Sequence, residues 1–158
     1  MMDKKLDNKG FTLVEIVVAI GIMAIIFAFG VQPFIAMKNR KALDNSVEKI
    51  ESLLHEARSM TMSSVGDSQY GVHFEETKAA LFKGSVYSSL DLDNKWVYLE
   101  NAVVISEINL SGGVSDVVFK RLNGETENPG NIKFSLVSNP TKFKILTIFL
   151  GGTFFNGI

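Results

Sequence analysis

Residues 16–37 contain no charged side chain, and a single acid, Glu15, stands at their amino-terminal edge. Wound as an α-helix, those 22 residues reach about 33 Å, enough to cross the hydrocarbon core of a bilayer. Ionisable side chains within such segments are rare, and each calls for a partner or a function. An unpaired carboxylate at Glu15 is costly in lipid, so the residues ahead of it decide what it is for.

Those residues are short and basic. Lys4, Lys5 and Lys9 outnumber Asp3 and Asp7, and positive charge ahead of an apolar run keeps that end cytoplasmic. The rest of the chain is then expected across the membrane, although Lys38, Arg40 and Lys41 beyond the run oppose that orientation. A secretory signal peptide would need a shorter apolar region and a small-x-small cleavage site. The far end instead reads Pro33-Phe34-Ile35-Ala36-Met37-Lys38. A plain uncleaved anchor explains the length and leaves Glu15 without a reason.

Lys9-Gly10-Phe11-Thr12-Leu13-Val14-Glu15, with the apolar run behind it, resembles the prepilin processing signal of type IV pilins and type II secretion pseudopilins. The resemblance implies that residues 1–10 are a leader and that a prepilin peptidase cuts after Gly10. The same enzyme would methylate the new amino terminus, Phe11. Glu15 would then assist assembly by meeting the amino terminus of a neighbouring subunit, with Thr12, Leu13 and Val14 completing the signal. The implied partners are the peptidase/methyltransferase, other pilin or pseudopilin subunits, an inner-membrane assembly platform and membrane lipid. No cofactor is implied. The chain would wait in the cytoplasmic membrane as a single-pass protein, its carboxy-terminal domain outside, before entering a pilus or pseudopilus.

Within the run, Pro33 removes a backbone donor and crowds the preceding turn, so the helix is expected to kink or loosen around residues 29–32. Pro and Gly are ordinary in membrane helices. In pilin filaments the helix loosens near such a proline on assembly, and both readings of Pro33 stand.

Beyond the run the pattern changes twice. Leu43, Val47, Ile50, Leu54 and Ala57 recur at spacings of four and three, one stripe of an amphipathic helix. Residues 38–64 therefore continue the helix of residues 11–37, giving about 75 Å from Phe11 to near Met60. Residues 63–68 then supply turn formers, and residues 65–158 read as a β-rich domain. Strands are expected at residues 70–74, 79–83, 96–99, 103–110, 117–122 and 142–150. A further half-buried strand carries Ile132, Phe134 and Leu136 in alternation with Lys133 and Ser135. Turns are expected at residues 75–78, Gly112-Gly113, Asn123-Gly124 and Asn139-Pro140. The fold class is α+β: a long amino-terminal helix packed on an antiparallel sheet domain.

Ala57-Arg58, residues 96–99 before 103–105, Val118-Phe119, Asn123-Gly124, residues 131–134, Lys144-Ile145 and Gly151-Gly152 resemble the GspH/FimT group of minor pseudopilins. Their order and rough spacing fit, though each piece is short.

Composition narrows the chemistry. About 120 residues outside the leader and run suffice for one small core. The formal net charge of −1 supplies no general attraction for nucleic acid. With no cysteine no disulfide forms, and the carboxy-terminal region is held by packing. His55 and His73, the two histidines, stand far apart, which suits neither a metal site nor a triad. No phosphate loop, nucleophile elbow or zinc-ligand spacing occurs, and the resemblance implies a substrate of an enzyme and not an enzyme. The alternatives are a DNA-binding minor pilin of a DNA-uptake pilus, which the resemblance allows, and a membrane-anchored extracytoplasmic protein of another kind.

Two binding possibilities carry named residues. Asp91, Asp93 and Asn94 could offer oxygens to calcium, but the stretch lacks the glycine and terminal acid of an EF-hand loop. A solvated acidic turn is the simpler account. Lys142 and Lys144, with Lys133 nearby, form a faint basic strip, and some FimT-like pilins bind DNA through a basic carboxy-terminal region. Here residues 149–158 hold no charge, so DNA is a disfavoured partner. Phe149, Phe154 and Phe155 crowd this end, which is expected either to close the sheet core or to dock on a neighbouring subunit.

Overall fold

The computed structural model describes residues 10–157, with the side chains at 29–32 outside that description. The leader charges Asp3, Lys4, Lys5, Asp7 and Lys9 also lie outside the described residues. One helix, α1 (Leu13–Met62), has Pro33 within it. Eight strands follow: β1 (Tyr70–Phe74), β2 (Lys78–Lys83), β3 (Lys95–Tyr98), β4 (Val103–Leu110), β5 (Asp116–Val118), β6 (Gly130–Leu136), β7 (Asn139–Ile148) and β8 (Phe154–Gly157). They build two four-stranded antiparallel sheets, ordered β3-β2-β1-β5 and β4-β6-β7-β8. The chain divides into two compact units, Met1–Lys38 and Asn39–Ile158.

In the first unit every described side chain from residue 10 to residue 38 is exposed. The segment has no polar face to turn to water and no core of its own to enter.

The second unit is built around the amphipathic part of α1. Leu43, Val47, Ile50, Leu54 and Ala57 are all buried, as their spacing predicts, and Ser46 and Leu53 join them. The stripe is wider than the sequence suggests because one core draws on the helix and on strands of both sheets. Ser46 tolerates burial because its Oγ accepts the Glu100 N–H at 3.1 Å. At the helix end, Thr61 Oγ1 donates to the Ala57 carbonyl at 2.8 Å and accepts the Tyr70 N–H at 2.9 Å, tying α1 to β1.

The β1–β2 hairpin forms where expected, Phe74 opposite Ala79, with the Glu75 N–H donating to the Lys78 carbonyl at 2.9 Å. In the other sheet, β4 carries a bulge between Ile105 and Glu107. The extra residue, Ser106, shifts the alternation. Val103 and Ile105 point inward before it and Ile108 and Leu110 after it, opposite Ile132, Phe134 and Leu136.

Two expectations need correction. The strand expected at residues 117–122 is β5, three residues long, after which Phe119 only bridges to Thr126. The chain turns away there: the Gly124 N–H donates to the Lys120 carbonyl and the Lys120 N–H to the Glu125 carbonyl. The turn expected at Asn139-Pro140 falls instead at Val137-Ser138, and β7 begins at Asn139. Pro140 is accommodated because the register jumps there, from Leu136↔Asn139 to Ser135↔Phe143. It thus occupies an irregular stretch where its missing N–H is not required. The uncharged end, expected either to close the sheet core or to dock on a neighbouring subunit, forms a strand, β8, paired with β7. Phe154 packs on the core, edge-on to Phe119 and His55, whereas Phe149 and Phe155 stay exposed.

Pieces far apart in sequence meet at Arg58. Its Nε donates to the Gly124 carbonyl at 3.1 Å and its guanidinium to the Gly151 carbonyl at 3.4 Å. Gly124 (φ 66°) and Gly152 (φ 68°) both lie in the left-handed region. A Cβ on Gly152 would overlap the Gly124 carbonyl oxygen, and one on Gly124 would press on Met62 and Arg58. Glycine is required at both positions by conformation and by space.

Candidate functional site

The amino-terminal signal forms a local structure of its own. Helix α1 starts at Leu13, which makes Thr12 its N-cap and Glu15 the third helical residue. The Glu15 N–H donates to Thr12 Oγ1 at 3.3 Å, and the Glu15 carboxylate accepts both the Thr12 N–H and the Thr12 hydroxyl at 3.0 Å. That is a capping box: two donors that the first turn leaves without partners are satisfied reciprocally. The spacing Thr12-x-x-Glu15 carries this signal in the sequence, beside the processing pattern to which Thr12 also belongs. The carboxylate thereby also sits at the positive end of the helix dipole.

Around this cap nothing is covered. Phe11 is 85% exposed, and Leu13 and Val14 are exposed as well. At Gly10 a Cβ would meet nothing within 4 Å, and its φ lies outside the left-handed region. Among the described residues the fold therefore gives no reason for glycine at position 10, in contrast to positions 124 and 152. Gly21 meets nothing either. By length and composition α1 can cross a membrane, and no described side chain of its most apolar stretch is buried.

The other sequence candidates separate in space. Asp91 and Asp93 are exposed, the Asp93 N–H donates to Asp91 Oδ1 at 3.0 Å, and the Asn94 amide donates to the Ser88 carbonyl at 2.7 Å. These groups organise their own turn, and among the described residues no cluster of three or more metal-ligating side chains forms. The basic strip is not one surface. Lys133 is opposite Ile145 and Lys144 opposite Phe134 in adjacent strands, so the two lysines face opposite sides of the sheet. Lys144 pairs with Asp44 at 2.7 Å and Lys133 with Glu107 at 3.6 Å. His55 lies against Phe154, and His73 is held between Asp116 and the stacked ring of Tyr87.

Comparison with known proteins adds two findings. Residues 5–31 match the family described as the prokaryotic N-terminal methylation motif. In fold, the chain is similar to the type IV minor pilin FimU of Pseudomonas aeruginosa strain PAO1, seen in two crystal forms. One gives a TM-score of 0.53 at 13% identity, covering 73% of this chain and 93% of that one. The other gives 0.52 at 16% identity, covering 75% and 90%. No curated protein sequence matches this chain. The amino-terminal segment thus carries a prokaryotic N-terminal methylation motif, and the fold, a long helix on antiparallel sheets, is similar to that of FimU.

Proposed function

We propose that this chain is a structural subunit, of the minor pilin or pseudopilin kind, of a type IV pilus or a type II secretion pseudopilus. It is inserted in the cytoplasmic membrane, cut after Gly10 by a prepilin peptidase, methylated at Phe11, and drawn into a filament. The observation that carries the reading is the long apolar stretch of α1, uncovered along every described side chain, which begins within the methylation motif of residues 5–31. Such a surface needs lipid before assembly and neighbouring helices after it.

Each part of the signal has a task in this scheme. Gly10 leaves room for the peptidase, since the fold itself makes no demand there. Thr12 starts the helix at the new terminus. Glu15 supplies the carboxylate that a neighbour's charged amino terminus can meet, and in a filament core of low dielectric such a pair is stronger than in water. The capping bonds hold that carboxylate at the helix start until then. The test is mass spectrometry of the amino terminus after co-expression with a prepilin peptidase. Methylated Phe11 is expected, and a mature start beyond Ala36 would overturn the reading in favour of a secretory signal peptide.

A further inference from the structure

Four strands form the open edges of the two sheets: β3 and β5 in one, β4 and β8 in the other. An open edge presents unpaired N–H and C=O groups, and folded chains blunt such edges with charge, bulges, shortness or covering segments. Three of the four are blunted here. β3 carries Lys95, which pairs with Glu56 of α1 at 2.7 Å. β4 has the bulge at Ser106, and its Ile105 N–H donates to the Glu76 carbonyl at 2.8 Å. β5 is three residues long and begins at Asp116. β8, though only four residues long, has neither charge nor bulge. Residues 149–157 hold no charged side chain and no proline, and the pairing of β8 with β7 is regular.

The register identifies the groups that this edge offers. The Phe149 N–H donates to the Thr153 carbonyl at 3.0 Å, and pairing continues as Ile148↔Phe154, Thr147↔Phe155 and Leu146↔Asn156. Along an antiparallel pair only every second residue bonds across. Thr147 and Phe155 therefore exchange the next bonds, and the N–H and C=O of Phe154 and Asn156 point away from β7. No backbone group of the described residues bonds to them there. The strand is also held in place, because the Phe154 ring packs against His55 and Phe119. On its other face Phe155 is 62% exposed, and Phe149 and Leu150 of the preceding turn are exposed as well.

We propose that an extended segment of an unlike subunit adds to β8 as a further strand of this sheet. Its backbone exchanges hydrogen bonds with Phe154 and Asn156, and an apolar side chain lies against Phe155. The segment is uncharged where it pairs, since residues 149–157 offer it no counter-charge. The inference rests on the filament reading above. A minor subunit is outnumbered, so its neighbours are unlike chains. Two β8 edges could pair with each other only about a two-fold axis, a closed contact that a filament cannot extend.

The test uses the full chain with a photo-cross-linking phenylalanine analogue at Phe155, co-expressed with an assembly machinery and irradiated in sheared filaments. An adduct to one other subunit is expected, placed by mass spectrometry in a single extended segment. Adducts to β8 of a second copy, adducts scattered over several proteins, or none would overturn the proposal. Asn156→Pro separates strand addition from simple contact. It removes an N–H that faces the open edge and that β7 does not use, a position where proline is tolerated. The variant should keep the parent's melting temperature in detergent and lower the adduct about tenfold. Phe155→Pro, which removes an N–H bonded to Thr147, should melt lower. An unchanged adduct from Asn156→Pro would show that the backbone is not engaged and would overturn strand addition. Should Asn156→Pro also melt lower, Phe155→Lys decides. A charge on this edge is expected to deplete the chain from filaments about fivefold at an unchanged melting temperature, and parent-like incorporation would overturn the proposal. The unlabelled parent is scored first: its absence from sheared filaments would count against the filament reading itself.

Discussion

Residues 10–38 and residues 39–157 use the same apolar side chains in opposite ways. In the first stretch Ile16, Val17, Ile20, Met23, Ile25 and Phe27 are all more than half exposed, whereas in the second Val47, Ile50, Leu54, Ile132 and Phe134 are fully buried. The difference lies in patterning. Charges between Lys41 and Glu56 leave a stripe free for the core, while the uncharged run has apolar surface on all sides. A helix apolar all round buries itself only in lipid or among other helices. The glycines repeat the contrast, since Gly10 and Gly21 meet nothing and Gly124 and Gly152 are crowded.

The widest separation of the two regions is expected from Gly10→Val. A side chain there should block cleavage and leave folding untouched, so mass spectrometry should show the full leader on a chain with the parent's melting temperature. A lower melting temperature would mean that Gly10 serves the fold after all. Next in size is Glu15→Leu. It should insert and be cleaved, since it eases the transfer of the segment into lipid, yet be depleted from sheared filaments at matched membrane levels. Glu15→Gln separates charge from shape. If both variants enter filaments as the parent does, Glu15 serves only as a cap or reaches the headgroups.

Within the second region, Phe134→Ala should destabilise the chain in detergent by about 3–5 kcal/mol, as emptied aromatic core sites do. Ile25→Ala, equally apolar but uncovered, should leave chemical unfolding unchanged. An equal loss from both would erase the distinction. Gly152→Ala forces a left-handed conformation and an overlap on the Gly124 carbonyl; a loss of about 2–4 kcal/mol is expected. Arg58→Ala should lose less, about 1–3 kcal/mol, by leaving the two carbonyls without their donor.

The smallest effect concerns Glu51, whose pKa is raised, chiefly because burial penalises its charged form, with Glu48 adding to the shift and His55 and Lys144 opposing it. For an acid with a raised folded-state pKa, the folded chain binds the extra proton between the unfolded and folded values. Stability therefore falls as pH rises through that window and does not return above it. Glu51→Gln should be slightly more stable than the parent at neutral pH. That advantage should disappear once the pH is below the ordinary carboxylate range. An unchanged difference across both conditions would remove desolvation as its source.

Much of this molecule was legible before its structure. The spans of β1 and β4, the β1–β2 hairpin, the inward alternation of Ile132, Phe134 and Leu136, and the Leu43–Ala57 stripe follow from local periodicity. The processing signal is local too, and so is its capping box, which the Thr12-x-x-Glu15 spacing already contains. Periodicity and capping depend on residues within a turn or two, so the sequence by itself determined the helix, its uncharged half and the character of the domain behind it. It could not determine what depends on contact between distant segments. The division of eight strands into two sheets, the bulge at Ser106 and the place of Pro140 in an irregular stretch were decided only when strands paired. Phe154 and Phe155 look alike in sequence, and pairing of β8 with β7 sends one into the core and the other into water. Arg58, Gly124 and Gly152 lie up to 94 positions apart, and no local pattern shows that one guanidinium closes both turns. That required the tertiary structure, because a side chain's partners are set by what the fold brings within a few ångströms of it.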